Sequence, residues 1–236
     1  MTAALVRPRN DVGLYDDLAD QWWDPKGPFA MLHWIAEARA GLVPPAGRPG
    51  AVLVDMGCGA GLLAPWVASK GYLHIGVDLT HSALAQAQAH HVTALRGDVG
   101  GLALRAGVAD VVCAGEILEH VHELGSVVAE ACRVLRPGGT LVIDTIANTR
   151  LADLLAVRVA ERVPGGAPAG VHDPALFVDR DQLVAECGRH GVALSLRGLR
   201  PSVPGILGWM TKRRPARMVP TWSTAVLFQA VGTKKS

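Results

Sequence analysis

The chain has 236 residues, half of them apolar and 19% charged, which fits one sizeable folded core with at most a peripheral lobe and excludes a disordered polyelectrolyte. No apolar run reaches the roughly 18 residues of a membrane span, and the opening stretch lacks the apolar core of a secretory signal, so a cytoplasmic protein is expected. The net charge is only +2, but Cys187 to Ser236 holds nine Lys or Arg and no Asp or Glu, an asymmetry that suits a surface meeting anions or a charged edge kept soluble.

A helical N-terminal segment is expected over 1–45, carrying LYDDLADQWWDPKGPFAMLHWI and running into the Pro/Gly stretch GLVPPAGRPG (41–50). From 46 to 236 strands and helices alternate, the pattern of a parallel α/β sheet. AVLVDM (51–56) reads as a buried first strand, followed by the helix GLLAPWVASKG with Gly71 as its stop. YLHIGVD (72–78) and VTALRGD (92–98) read as the second and third strands, with SALAQAQAH as the helix between. ADVVCAG (109–115) is the fourth strand, ELGSVVAEACRVLRPGG a helix and turn, and TLVIDTI (140–146) the fifth strand. Asp179 and Gln182 have the spacing of a capping box opening the next helix. VALSLRGL and STAVLFQAVG close the chain as an antiparallel pair. Two stretches interrupt this alternation, 149–173 and 200–220, and both read as cap insertions. The four cysteines, Cys58, Cys113, Cys132 and Cys187, form no CxxC pair, which points to reduced thiols and away from a zinc knuckle.

VLVDMGCGAGLLA places an acid, Asp55, before Gly57, Gly59 and Gly61 and then a helix. Such a loop lets backbone approach a ligand at a helix N-terminus. The spacing satisfies G-x-G-x-x-A for a dinucleotide, with Asp78 nineteen residues after Gly59. It also satisfies the D-x-G-x-G-x-G loop of class I S-adenosyl-L-methionine methyltransferases. Asp78 at the end of the second strand suits two ribose hydroxyls, and Asp98 at the end of the third suits an adenine amino group. Leu79 and Val99 flank them as further cofactor contacts. With LRPGG before the fifth strand, these features favour the methyltransferase. The expected architecture is a Rossmann-like class I methyltransferase fold: a seven-stranded, mostly parallel sheet with an antiparallel last strand, plus the helical N-terminal segment and the cap insertions.

Over most of its length the chain resembles the O-methyltransferases of ubiquinone biosynthesis. QWWDPKGPFAMLHWI is similar to that family's W-W-D…G-x-F-x-x-L-H-x-I, GEILEHV to its E-x-L-E-H-V, and GVHDPALFVDRDQL to its G-T-H-D…F-x-x-P-x-E-L. The resemblance implies Arg39, Gly57, Asp78 and Gly115 as cofactor contacts, with Arg39 meeting the methionine carboxylate. Gln21 and Ala147 depart from the family pattern, where an Arg and an Asn are common. It also implies metal-dependent methylation of a catechol, with Glu116, Glu119 and His120 as ligands.

On spacing alone, Glu116, Glu119 and His120 share one face if the stretch is helical. Two carboxylates and an imidazole suit Mg²⁺, Mn²⁺ or Zn²⁺. A cation on a phenol of ordinary pKa about 10 would favour the phenolate. Without a metal, His120 is the candidate general base, with Glu119 beside it; as a bare helix start, the acids would only favour the dipole. His172 and Asp173 either approach this site or cap a turn, and His122 and Glu123 read as solvated. Leu151, Leu154, Leu155 and Val159 fall on one helical face, and Lys212, Arg213, Arg214 and Arg217 follow an apolar stretch. Both suit peripheral membrane contact, or a cap packed over the site. The expected acceptor is a small aromatic hydroxyl compound. Nucleic acid is not an expected partner, and a non-catalytic cofactor-binding protein is the alternative of a different class.

Overall fold

A computed structural model of the chain describes residues 8–163, 166–212 and 214–236. Arg213 and the Lys212 side chain, both assigned above to the basic surface, lie outside the described residues. The N-terminal segment folds as α1 (Gly13–Asp17), a 3₁₀ turn and α2 (Ala30–Ala40). The alternating part follows: β1 (Val52–Met56), α3 (Ala64–Val67), β2 (Leu73–Asp78), α4 (His81–Ala89), β3 (Thr93–Arg96), β4 (Ala109–Gly115), α5 (Leu124–Val134) and β5 (Leu135–Ile146). The chain continues through α6 (Arg150–Ala152), α7 (Arg180–Arg189), β6 (Val192–Pro201), α8 (Val203–Lys212), β7 (Met218–Thr221) and β8 (Leu227–Lys234).

Among the described residues the sheet has eight strands, in the order β3-β2-β1-β4-β5-β8-β6-β7. β1 to β5 run parallel, and β8 is antiparallel to both β5 and β6. The expected seven-stranded class I architecture is therefore present with one strand more. The addition, β7, pairs antiparallel with β6 at the edge and comes from the 200–220 insertion, whose apolar residues pack inward at Trp209, Ala216 and Met218. β1 and β4 are buried along their whole length, as a central parallel strand covered by helices on both faces must be.

Local signals explain most boundaries. Gly71 stops the helical turn after α3 in the left-handed conformation, φ +85. Asp179 caps α7, its carboxylate accepting from the Gln182 N–H at 2.9 Å. At the amino end of the sheet, Asp110 of β4 accepts from the Val52 N–H, Arg48 and Arg136 at 2.8–3.1 Å.

The 149–173 insertion departs from a regular amphipathic helix. After α6 the chain widens into a π-helix over Asp153–Val159 and tightens to a 3₁₀ turn at Ala160–Arg162. Ala152 is buried beside Ile146 and Phe177. Leu151, Leu154, Leu155 and Val159 are all exposed, so this apolar face is only partly used as a cap. No helix among the described residues is long and apolar enough to cross a membrane.

Candidate active site

The carboxyl ends of β1, β2, β3 and β4 open onto one cavity of about 1050 Å³, as expected where strand ends and loops meet in an open α/β sheet. Its wall includes Arg39, Asp55, Gly57, Gly59, Asp78, Leu79, Asp98, Val99, Gly115, Glu116 and His120, which the sequence had singled out. Two others fall outside this wall. Gly61 faces α4, where an added Cβ would lie 3.1 Å from Ala87, so the loop packs closely on that helix there. Glu119 is fully buried and accepts a hydrogen bond from the Thr145 hydroxyl at 2.7 Å.

At the cofactor end, the Asp78 carboxylate accepts from the Gly59 N–H and the Thr80 N–H, both at 2.9 Å. Asp98 accepts from the Gly100 N–H at 2.8 Å. These contacts fix each carboxylate and leave lone pairs for further donors. Gly59 needs its hydrogen: at φ +50, a Cβ would meet the Trp22 ring at 2.8 Å. The tryptophan pair thus has a defined use. Trp22 stacks on Phe29 at 4.2 Å and lies on the glycine loop, while Trp23 stacks on His90 at 3.6 Å, next to α4. The loop shape and the carboxylates Asp55, Asp78 and Asp98 in the same wall fit a bound nucleoside with a cationic tail.

Arg39 is buried, where it could have been a surface residue on α2. Its Nε and Nη2 each donate to Asp144 at 2.7 Å. β4–β5 register sets Asp144 beside Gly115, and a Cβ on Gly115 would strike the guanidinium at 1.8 Å. Burial works against the charge at both ends of this pair: the Asp144 contact outweighs it and raises the Arg39 pKa, whereas burial still raises the Asp144 pKa against the pull of Arg39. With Nε and one N–H of Nη2 committed, Arg39 can offer a ligand carboxylate the Nη1 N–H groups and the second N–H of Nη2.

The helical geometry expected for Glu116, Glu119 and His120 does not form. Glu116 has a left-handed backbone, φ +52, and Leu118–His120 is a single 3₁₀ turn, with α5 starting only at Leu124. The i, i+3, i+4 face therefore does not exist here. Glu116 and Glu119 remain close enough to perturb each other: burial, then Glu119 and Asp144, push Glu116 well above the usual carboxylate range. Burial raises Glu119 to about 7 against the opposing hydrogen bond from Thr145. Oε1 of each acid is buried without a hydrogen-bond partner among the described residues. Unpartnered carboxylate oxygens ask for a proton or a cation. Yet among the described residues no three of His, Cys, Asp and Glu gather as a cation-holding group, so the donor set fits a divalent ion in part, through the two acids and without His120.

His120 turns instead to the N-terminal segment. Its Nδ1 is 2.6 Å from Asn10 Oδ1 and its Nε2 is 3.5 Å from the Tyr15 hydroxyl. Burial, with His172 adding to it, lowers the His120 pKa to about 3, so the ring is neutral. His172 stacks on it at 5.8 Å and lines the cavity, whereas Asp173 caps a turn through the Ala175 N–H. His122 and Glu123 are exposed at the rim. Asn10, Tyr15, Asp144 and Thr145 escaped the sequence reading, since their partners lie 26 to 110 residues away. Only Tyr15 left a signal, as an aromatic just before the tryptophan pair.

Comparison with known proteins follows the same lines. Residues 54–143 match the family model described as "Methyltransferase domain". A ubiquinone biosynthesis O-methyltransferase from Paracidovorax citrulli is 35% identical over 75% of this chain and 78% of its own. One of the same name from Azorhizobium caulinodans is 33% identical over 83% of this chain and 85% of its own. Among solved structures, an S-adenosylmethionine-dependent methyltransferase from Thermotoga maritima superposes with a TM-score of 0.66 at 18% identity, covering 94% of this chain and 97% of its own; that likeness speaks for the fold. Cavity, glycine loop and relatives agree, and the chain belongs to the ubiquinone biosynthesis O-methyltransferase family of S-adenosylmethionine-dependent methyltransferases.

Proposed function

We propose that this enzyme methylates a phenolic or catechol oxygen on a small aromatic acceptor bearing an apolar tail, of the quinone-precursor kind suggested by its relatives' names. The observation that carries this reading is the lining of the cavity. Beyond the carboxylates and glycines it continues along Met31, Ile35, Ile146, Leu199, Met218 and Leu227. Such a wall takes an apolar chain and excludes water from the reacting oxygen. Bound S-adenosylmethionine supplies an electrophilic methyl on its sulfonium. The chain's own residues hold and orient: Asp78 for ribose hydroxyls, Asp98 for the adenine amine, Arg39 through its remaining Nη1 and Nη2 N–H groups for a carboxylate, and Trp22 as a wall on the loop.

The acceptor must lose a proton, and a different observation supports each of two ways. His120, neutral and at the cavity wall, is placed to take it at Nε2, while the burial that keeps the ring neutral also weakens it as a base. Alternatively, the unpartnered oxygens of Glu116 and Glu119 support a held Mg²⁺, Mn²⁺ or Zn²⁺, which would favour the phenolate as a Lewis acid. Calorimetric titration of these ions into EDTA-treated protein with S-adenosylhomocysteine separates the two. Saturable binding lost in Glu116→Ala favours the cation; no binding by any ion leaves His120. Failure of the enzyme to methylate any of a series of alkylated phenols and catechols would overturn the whole reading.

Peripheral membrane contact belongs to the same proposal. Leu155, Val203 and Ile206 line the cavity and are also exposed. Leu207, Met210 and Trp222 are exposed as well, with Arg214 and Arg217 following α8. An apolar rim beside cations suits an anionic bilayer from which a lipid-soluble acceptor is drawn.

A further inference from the structure

His120 and Asn10 are joined twice. Besides the Nδ1 contact, Asn10 Nδ2 donates to the His120 backbone carbonyl at 3.0 Å. A carbonyl can only accept, so it fixes the orientation of the Asn10 amide: the NH₂ faces the carbonyl and Oδ1 faces the ring. Oδ1 also only accepts, so Nδ1 must carry the ring proton. In a neutral imidazole that leaves Nε2 bare, on the edge shared with Tyr15. Tyr15 is held in turn by stacking on Trp22 and Phe29 at 5.8 and 6.2 Å.

Asn10 is itself anchored. It sits at φ +60, a left-handed conformation that Asn tolerates better than most residues. Its N–H donates to the Gly170 carbonyl at 2.9 Å. Its neighbour Arg9 donates to the His172 carbonyl and pairs with Glu161 at 2.6 Å. Glu161 also accepts from the Gly170 N–H at 3.0 Å. A two-residue strap is therefore fastened to the cap above His120.

We propose that Asn10 is a positioning residue for methyl transfer, setting His120 as the Nδ1–H tautomer so that Nε2 is its working nitrogen. This rests on the role given to His120 above, as the group that takes the acceptor's proton through the Nε2 lone pair. Specifying the tautomer through the other ring nitrogen is a general way of preparing an imidazole.

Long-range ¹H–¹⁵N correlation on ¹⁵N-histidine protein reads the tautomer, with the His120 signal assigned by its absence in His120→Ala. The wild type is expected to show the proton on Nδ1. Asn10→Ala should shift it toward Nε2–H and lower kcat about 10–100-fold, with KM for S-adenosylmethionine unchanged. Asn10→Asp, which keeps an acceptor at Nδ1, should restore the tautomer and much of kcat. An Nε2–H signal in the wild type overturns the proposal, and this measurement decides even if Asn10→Ala does not fold. With 4-hexylcatechol as acceptor, full activity in His120→Ala would sink the underlying role of His120. Loss in His120→Ala beside a wild-type tautomer and rate in Asn10→Ala would overturn the Asn10 proposal alone.

Discussion

The two ends of the sheet each bury acids beside arginine, and they handle them in opposite ways. At the amino end, one acid has three donors: Asp110 is held by Arg48, Arg136 and the Val52 N–H. Although burial would raise its pKa, those partners win and hold its carboxyl below the usual range. At the carboxyl end, Asp55, Glu116, Glu119 and Asp144 crowd one guanidinium, Arg39. Glu116 and Glu119 each keep a buried oxygen with no partner among the described residues, and burial pushes both upward. A fold that can satisfy an acid fully at one end has no physical need to strand two at the other. The difference marks the second group as a place prepared for something positive or for a proton in transit.

The sharpest way to break this contrast is to remove one acid from each end. Asp144→Ala leaves Arg39 charged, buried and unpaired, and should cost about 3–5 kcal/mol in urea unfolding while weakening S-adenosylmethionine binding. Asp110→Ala should cost about 1–3 kcal/mol and leave that binding unchanged in calorimetry. Equal losses of binding in both would erase the distinction. The swap Arg39→Met with Asp144→Leu sharpens it further. Replacing a buried pair with apolar residues is often neutral, so stability should largely return while cofactor affinity stays at least about tenfold down.

pH separates the ends more gently. The folded pKa of Asp110 is depressed below its ordinary value of about 3.9. Its contribution is therefore full above that value and lost as pH falls through the folded pKa. The urea midpoints of wild type and Asp110→Asn should differ by a constant amount above about pH 5 and converge in acid; a gap that persists there would show that the carboxylate is not the stabilising form. The smallest effect belongs to the surface. Leu207→Glu and Met210→Glu should change stability by less than about 0.5 kcal/mol, yet reduce binding to anionic phospholipid vesicles; unchanged vesicle binding would remove the membrane from the proposed function.

The strands, the glycine loop and the acids at strand ends were legible because each is a local pattern. Burial of β1 and β4, the Gly71 stop and the Asp179 cap depend on residues within a few positions of one another. The 149–173 and 200–220 insertions were visible as interruptions, but not their winding or the extra strand β7, since tertiary packing at Ala152 and Trp209 decides both. The site was half legible. GEILEHV announced chemistry, but its helical reading failed at Glu116, where the backbone turns left-handed and its N–H donates to the Asp144 carbonyl. Spacing rules presuppose the helix they are used to find. The contacts that give Arg39 and His120 their setting come from residues more than a hundred positions away, and no window along the chain contains both partners.

That separation bears on when the enzyme comes into being. A growing chain emerges N-terminus first, at roughly 5–20 residues per second. Arg9 and Asn10 leave the ribosome well before the groups they fasten to, Glu161, Gly170 and His172. A chain interrupted before those groups are made could therefore build the first five strands and still leave the strap with nothing to hold it.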